Sequence, residues 1–204
     1  MYNDLGFGTP PQTGFPGATG GRLRPAKSWR PIEQATISYG HGISVSLMQL
    51  VRAYTALARN GDVIDLTFRR TSKEAVGKQI FRPEVARQMR AMMAETVQAG
   101  TARRVNVQGY TVAGKTGTAN KIENGQYVDK YVASFVGMAP AGQPRLIVAV
   151  MIDEPTRGSY YGGAVAAPVF NEVTAGALRL IGVHPDAAGF GAAPGILVRG
   201  QRND

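Results

Sequence analysis

Apolar residues recur at helical spacing in three segments of the chain, which predicts three amphipathic helices. The first runs from about Ser46 to Arg59 and stops at Asn60-Gly61. The second runs from about Arg82 to Val97, with a proline in its first turn. The third runs from about Ala164 to Ile181, and Pro168 predicts a later start or a distorted first turn. The positions predicted to face the core are, helix by helix, Leu47, Leu50, Val51, Tyr54, Leu57 and Ala58; Val85, Met89, Met92, Met93 and Val97; and Val165, Val169, Val173, Ala177 and Leu178.

Between the second and third helices the pattern becomes that of β-strands. Tyr110-Thr111-Val112 leads into residues 114–118, a turn at Asn124-Gly125 precedes residues 131–138, and residues 145–152 form an apolar run. Connections of hairpin length favour antiparallel pairing. The predicted fold class is therefore α+β, an antiparallel sheet packed against helices.

Length and composition are those of a single globular domain. The chain has 204 residues, of which 44% are hydrophobic and 18% charged. The first 31 residues or so, rich in Gly and Pro, predict an ordered but irregular loop. We expect residues 1–185 to form one unit and residues 186–204 a flexible tail. The apolar run at residues 146–152 is too short to span a bilayer, and no signal-peptide pattern follows Met1.

A net charge of +9 is compatible with nucleic acid, an anionic surface or an anionic substrate as a partner. The basic residues are scattered, and no aromatic residues alternate with them to stack on bases, so we predict no nucleic-acid partner. A solvated basic face is the simplest interpretation. With no cysteine, two histidines and no carboxylate cluster beside them, the sequence predicts no metal and no cofactor.

Lys115 belongs to two overlapping patterns with different chemistry. Residues 109–116 satisfy the nucleotide-binding P-loop pattern, and residues 146–153 resemble the apolar strand ending in an Asp that helps to hold magnesium. A P-loop, however, requires a glycine-rich turn and then a helix that begins at the lysine. Strand formers occupy that turn at residues 110–112, and poor helix formers follow at residues 116–118. A P-loop NTPase is thus an alternative that the local sequence disfavours.

The second pattern is the triplet Lys115-Thr116-Gly117 with Thr118 after it. A lysine attracts a substrate carboxylate and influences nearby proton transfers. Glycine lets a substrate approach the edge of a strand. Thr118 can offer its hydroxyl to the carboxylate and its backbone N–H to a developing oxyanion. In penicillin-binding proteins and serine β-lactamases, K-T-G lies on a strand that lines the active site, and its partner motifs are S-x-x-K and S-x-N or S-D-N.

Several blocks around this triplet make the chain resemble the class B penicillin-binding proteins of cell division. The blocks occur in the family's order, and the resemblance covers nearly all of residues 1–185. They are ATISYGHGISV (35–45), VAGKTGTA (112–119), YVASFVGMAP (131–140), VAVMIDEP (148–155), and YYGG (160–163) with AAPVF (166–170).

The resemblance implies a role for individual residues. Lys115, Thr116, Gly117 and Thr118 would bind the carboxylate of a D-Ala-D-Ala stem peptide or of a β-lactam, and the Thr118 N–H would form half of an oxyanion hole. Tyr131, Tyr160 and Tyr161 would form aromatic walls of the cleft. His41 stands where relatives often carry an aromatic residue, and we expect it to pack rather than to transfer protons.

The resemblance also implies a parent protein anchored in the inner membrane, with a periplasmic catalytic domain and with partners among the division proteins. Its fold would be that of the penicillin-binding and serine β-lactamase-like transpeptidases.

The nucleophile of this family is a serine one helical turn before a lysine. No serine of this chain has a lysine three residues later or an asparagine two residues later, so S-x-x-K and S-x-N are both absent. We therefore expect the C-terminal part of a transpeptidase domain, inactive alone. A β-lactamase or D,D-carboxypeptidase is the alternative within the same fold. The non-enzymatic alternative is a non-catalytic relic that binds peptidoglycan or division partners.

Overall fold

The computed structural model describes residues 1–187, which contain four α-helices and five β-strands. In chain order they are α1 (Pro31–Ile37), α2 (Leu47–Ala58), β1 (Asp62–Val63), β2 (Lys78–Gln79), α3 (Pro83–Gln98), β3 (Ala113–Glu123), β4 (Gln126–Ala139), β5 (Leu146–Asp153) and α4 (Gly162–Leu180). A short 3-10 turn at Ala26–Ser28 precedes α1. Within this part of the chain, no helix is both long and apolar enough to cross a membrane.

The central sheet has the order β3-β4-β5 and is antiparallel throughout, which confirms the predicted α+β class. The β3–β4 turn is formed by Asn124 (φ 51°) and Gly125 (φ 79°), as an Asn-Gly hairpin requires. Because this turn is tight, β4 begins five residues before the predicted Tyr131.

Helices cover both faces of the sheet. On one face α4 packs through Phe170, whose ring meets that of Phe135 on β4 edge-to-face at 4.6 Å. On the other face α2 and α3 pack on β3–β5 through a cluster that includes Tyr54, Met93 and Met138. The core thus forms two layers, one on each side of β4.

The predicted boundaries of all three helices are confirmed to within about two residues; α4 begins at Gly162, so Pro168 lies inside the helix and the suggested later start is wrong. The predicted core faces are wrong in part. The most buried positions of α4 are Ala166, Ala167, Phe170, Thr174 and Leu178, whereas Val169 and Val173 are largely exposed. Met89 and Met92 of α3 are exposed in the same way, because α3 turns Ala86, Arg90 and Met93 inward.

Two buried polar side chains hold neighbouring segments together. Gln49 of α2 is fully buried and donates hydrogen bonds to the carbonyls of Gly6, Thr9 and Gly20, which fixes the irregular first segment. Its Oε1 accepts the Ser46 N–H and so completes a capping box. In the same way, the Arg90 guanidinium of α3 caps α2 by donating to the carbonyls at its C-terminal end.

The last residues that the structure describes form hydrogen bonds with the segment before β3. Asp186 and Ala187, the first residues of the predicted tail, both donate backbone hydrogen bonds to Gly109. The Asp186 carboxylate also accepts hydrogen bonds from Thr111. The rest of the predicted tail, residues 188–204, lies outside the described residues.

Candidate active site

Strand β3 carries Lys115, Thr116, Gly117 and Thr118 along one edge of the sheet. Within residues 1–187 it pairs only with β4, so its other edge faces outward. The Gly114 and Thr116 carbonyls lie on this outer edge, where they accept hydrogen bonds from Thr96 Oγ1 (2.5 Å) and Lys115 Nζ (2.9 Å). Since backbone groups alternate in direction along a strand, the N–H of Thr118 points to the same edge.

This placement excludes the P-loop interpretation. Lys115 lies inside a strand that continues to Glu123, and no helix begins at it. The backbone donors that would hold a phosphate at a helix N-terminus after the lysine are therefore missing.

The N-terminus of α4 lies against this strand. Gly162 donates its N–H to Thr118 Oγ1 at 3.1 Å. A Cβ at position 162 would overlap the carbonyl oxygens of Gly117 and Ser134, so this close approach requires glycine. A hydroxyl that accepts one hydrogen bond keeps its own proton to donate. The Thr118 hydroxyl can therefore accept from the helix and donate to a ligand.

An open cleft of about 770 Å³ lies between β3, the start of α4 and the loop after α3. This volume suits a small-molecule or short-peptide ligand. The cationic side chains that line it are Lys115, Arg103 and Arg104, and within residues 1–187 no acidic side chain lines it. The remaining lining residues are Ala99, Gly100, Thr101, Thr116, Thr118, Ser159, Tyr161, Gly162, Gly163 and Ala164. The cleft is thus suited to an anionic ligand.

Sequence reasoning missed Thr101, Arg103 and Arg104 as site residues. Thr101 Oγ1 lies 3.1 Å from Thr116 Oγ1, so the loop after α3 is tied to the K-T-G strand. In the sequence the two arginines are part of the scattered basic residues, which predict a solvated basic face. The alternation of buried Ala102, Val105 and Val107 with polar residues was the available signal that the two arginines point outward together.

The three predicted tyrosines come together, but only one of them lines the cleft. The rings of Tyr131 and Tyr160 stack at 3.9 Å, and Tyr160 contacts Tyr161 at 4.5 Å. Tyr161 forms part of the cleft wall, with Tyr131 and Tyr160 stacked behind it. A hydrogen bond with Tyr160 raises the pKa of the exposed Tyr161. The stack fixes the start of α4 to β4 and so supports Tyr161.

A second hollow, of about 450 Å³, adjoins the first at Thr118. Tyr127 and His41 meet there through a contact of 2.8 Å between Tyr127 Oη and His41 Nε2. His41 is exposed, and its ring lies 5.8 Å from that of Tyr127, so the expected packing role stays a prediction. Tyr39 and Asn120 also line this hollow.

Ser159 is the serine that lines the larger cleft. Its Oγ accepts the Tyr161 N–H at 3.4 Å, and no hydrogen bond within the described residues joins it to a lysine. The activating contact that a nucleophilic serine requires is therefore missing at Ser159.

Comparison with known proteins agrees with this geometry. Residues 1–175 match the family described as "Penicillin binding protein transpeptidase domain". The "Probable peptidoglycan D,D-transpeptidase PenA" of Neisseria gonorrhoeae is 48% identical over 187 residues, which are 91% of this chain and 32% of that protein. The "Peptidoglycan D,D-transpeptidase FtsI" of Escherichia coli K12 is 36% identical over 188 residues, again 91% of this chain and 32% of the relative.

A solved structure, the apo transpeptidase domain of Burkholderia pseudomallei penicillin-binding protein 3, superposes with a TM-score of 0.87 at 49% identity. The match covers 92% of this chain and 58% of that one. The chain thus spans about a third of the length of the two curated relatives and over half of the solved domain. The resemblance inferred from the K-T-G strand and its flanking blocks is confirmed, and the chain belongs to the penicillin-binding protein transpeptidase domain family.

Proposed function

We propose that this chain supplies the carboxylate-binding strand and one wall of the cleft of a peptidoglycan D,D-transpeptidase. The observation that supports this most directly is the outward edge of β3, where Lys115 and Thr118 face an open cleft with no acidic lining in the described part of the chain. The enzyme would cross-link stem peptides during septal wall synthesis. We propose further that this enzyme is anchored in the membrane, that its catalytic domain is periplasmic, and that it has partners among the division proteins.

The proposed reaction is acyl transfer. A serine hydroxyl, which S-x-x-K would supply and this sequence does not contain, attacks the carbonyl carbon of the penultimate D-Ala. The terminal D-Ala leaves with a proton on its amine, and an acceptor amine then displaces the serine to form the cross-link. Lys115, Thr116 and Thr118 bind the terminal carboxylate, and the Thr118 N–H stabilises the oxyanion. A side chain at Gly117 would meet Ser134 Oγ on β4, so glycine at this position lets β3 and β4 lie close together.

The sequence does not contain the S-x-x-K serine that would form the acyl-enzyme. We therefore expect its intact mass to be unchanged after incubation with a penicillin. A gain of the mass of one β-lactam would contradict this expectation.

Carboxylate recognition can be tested separately from acylation. In an NMR titration, N-acetyl-D-Ala-D-Ala is expected to shift the resonances of β3 residues, and Lys115→Ala is expected to weaken that binding. Lys73→Ala, which changes an exposed loop lysine outside the cleft, is the matched control. Equal binding by the Lys115→Ala and Lys73→Ala variants would refute the assignment of the K-T-G strand.

A non-catalytic protein that binds peptidoglycan or division partners is the second candidate, because the sequence contains no S-x-x-K serine. The two candidates predict different results when the cells that make this protein are labelled with penicillin. Fluorescent penicillin should label a band whose tryptic peptides include residues 1–187 if the transpeptidase proposal holds. Recovery of these peptides only from unlabelled bands would favour the binding protein.

A further inference from the structure

The turn after α3 contributes two adjacent arginines to the lining of the cleft. Ala102 is fully buried and Val105 nearly so, and between them Arg103 and Arg104 are exposed. Backbone hydrogen bonds close the turn, from Ala102 N to Thr96 O (3.0 Å) and from Val105 N to Ala102 O (2.8 Å). The two arginines therefore point away from the core because their neighbours are anchored in it.

Helix α4 holds the same turn from the other side. Asn171 Oδ1 accepts the Asn106 N–H at 3.0 Å, and Asn171 Nδ2 donates to the Arg104 carbonyl at 3.2 Å. The side chain of one α4 residue thus bridges two backbone groups of the turn. Since the same helix contacts Thr118 at its N-terminus, the arginine turn and the K-T-G strand are positioned by a common element.

The cleft is lined by three cationic side chains, whereas one carboxylate carries a single negative charge. A terminal carboxylate at Lys115 and Thr118 would be paired with the Lys115 cation. Arg103 and Arg104 then remain as two further cations, and as far as the structure describes the chain neither forms an ion pair. Arginine presents a planar fork of N–H donors that matches a carboxylate in bidentate geometry.

We propose that the Arg103–Arg104 turn binds a second carboxylate of the peptide ligand, located upstream of the terminal D-Ala-D-Ala. This inference rests on the proposed function, because it assumes that the terminal carboxylate binds at Lys115–Thr118. It gives the site a preference for stem peptides with an acidic group over their amidated counterparts.

The test compares two isosteric peptides that differ by one charge, N-acetyl-L-Glu-D-Ala-D-Ala and N-acetyl-L-Gln-D-Ala-D-Ala. At low ionic strength the unaltered chain is expected to bind the Glu peptide about fivefold more tightly, because exposed ion pairs are individually weak. The double variant Arg103→Gln/Arg104→Gln should bind both peptides equally. The double variant Arg69→Gln/Arg70→Gln removes an adjacent, exposed arginine pair outside the cleft and should keep the preference.

Equal binding of the two peptides by the unaltered chain would overturn the inference, as would a preference that survives in Arg103→Gln/Arg104→Gln. In either case the proposed function stands if Lys115→Ala still weakens binding of the Gln peptide. If Lys115→Ala weakens neither peptide, the proposed function itself fails. Circular dichroism of the variants checks that the fold is unchanged, as expected for exposed side chains.

Discussion

Replacing Thr118 by valine removes one hydroxyl while it keeps the volume and β-branching of the side chain. That hydroxyl is expected to act twice. It accepts the N–H of Gly162 at the start of α4, and its proton remains available for a ligand carboxylate. Thr118→Val should therefore lower both the stability of the fold and the affinity for the peptide, and Thr118→Ser should restore both.

The magnitudes follow from the surroundings of the two groups. Loss of a typical hydrogen bond costs about 0.5–1.5 kcal/mol, and because the Gly162 N–H borders an open cleft, water can replace part of it. We expect about 1 kcal/mol in the free energy of unfolding, which corresponds to a Tm lower by about 2–4 °C for a chain of this size. A hydrogen bond to a charged carboxylate is stronger, and its low end of about 1.5 kcal/mol predicts roughly tenfold weaker peptide binding.

Thermal unfolding followed by circular dichroism and NMR titration with N-acetyl-D-Ala-D-Ala measure the two effects on the same samples. If Thr118→Val loses stability but binds the peptide as the unaltered chain does, the hydroxyl serves only the helix, and its role in carboxylate recognition is wrong. If the Tm is unchanged, the hydrogen bond to Gly162 contributes nothing and the reasoning about the helix contact fails.

Two further substitutions test the interior. Gln49→Leu should lower the free energy of unfolding by about 2–4 kcal/mol in a urea titration, because it leaves buried carbonyls of the first segment without donors and opens a capping box. Gln88→Leu, at an exposed position of α3, is its control, and equal effects of the two would contradict the role of burial. Burial raises the pKa of Tyr54 from 10.0 to about 12. Stability linked to Tyr54 is therefore intact below about pH 10 and falls as the pH rises towards 12, because the unfolded chain ionises first. Tyr54→Phe should make the unfolding free energy fall less steeply between about pH 10 and 12, and an unchanged slope would refute the assignment.

The positions of the helices could be predicted because their end signals are local. Ser46 caps α2, and Pro83 stands at the start of α3. The inward faces could not be predicted in the same way, because periodicity does not say which neighbours a helix meets. Gln49 shows this most clearly: a polar residue became fully buried because three carbonyls of a distant loop required a donor.

The candidate site likewise contains residues that could be predicted from the local sequence and residues that could not. Residues 115–118 are contiguous, so their motif was readable directly from the sequence. The Arg103–Arg104 turn joins the site only through the packing of α3, α4 and β3. The contact between His41 and Tyr127 spans 86 positions in sequence. No local pattern encodes such neighbours, and they had to be found in three dimensions.

The outward edge of β3 has a consequence for how such a chain behaves in solution. An eleven-residue strand that has no neighbouring strand on one side, within the described residues, is an edge on which another strand could pair. Proteins usually protect such edges with proline or a bulge, but proline here would remove the donors that recognition needs. The strand instead has an irregularity in its pairing with β4 between Asn120 and Ile122, and the exposed Lys115 adds charge to the edge before that point. Lys115 would then discourage self-association as well as attract substrate, and loss of its charge would also favour aggregation.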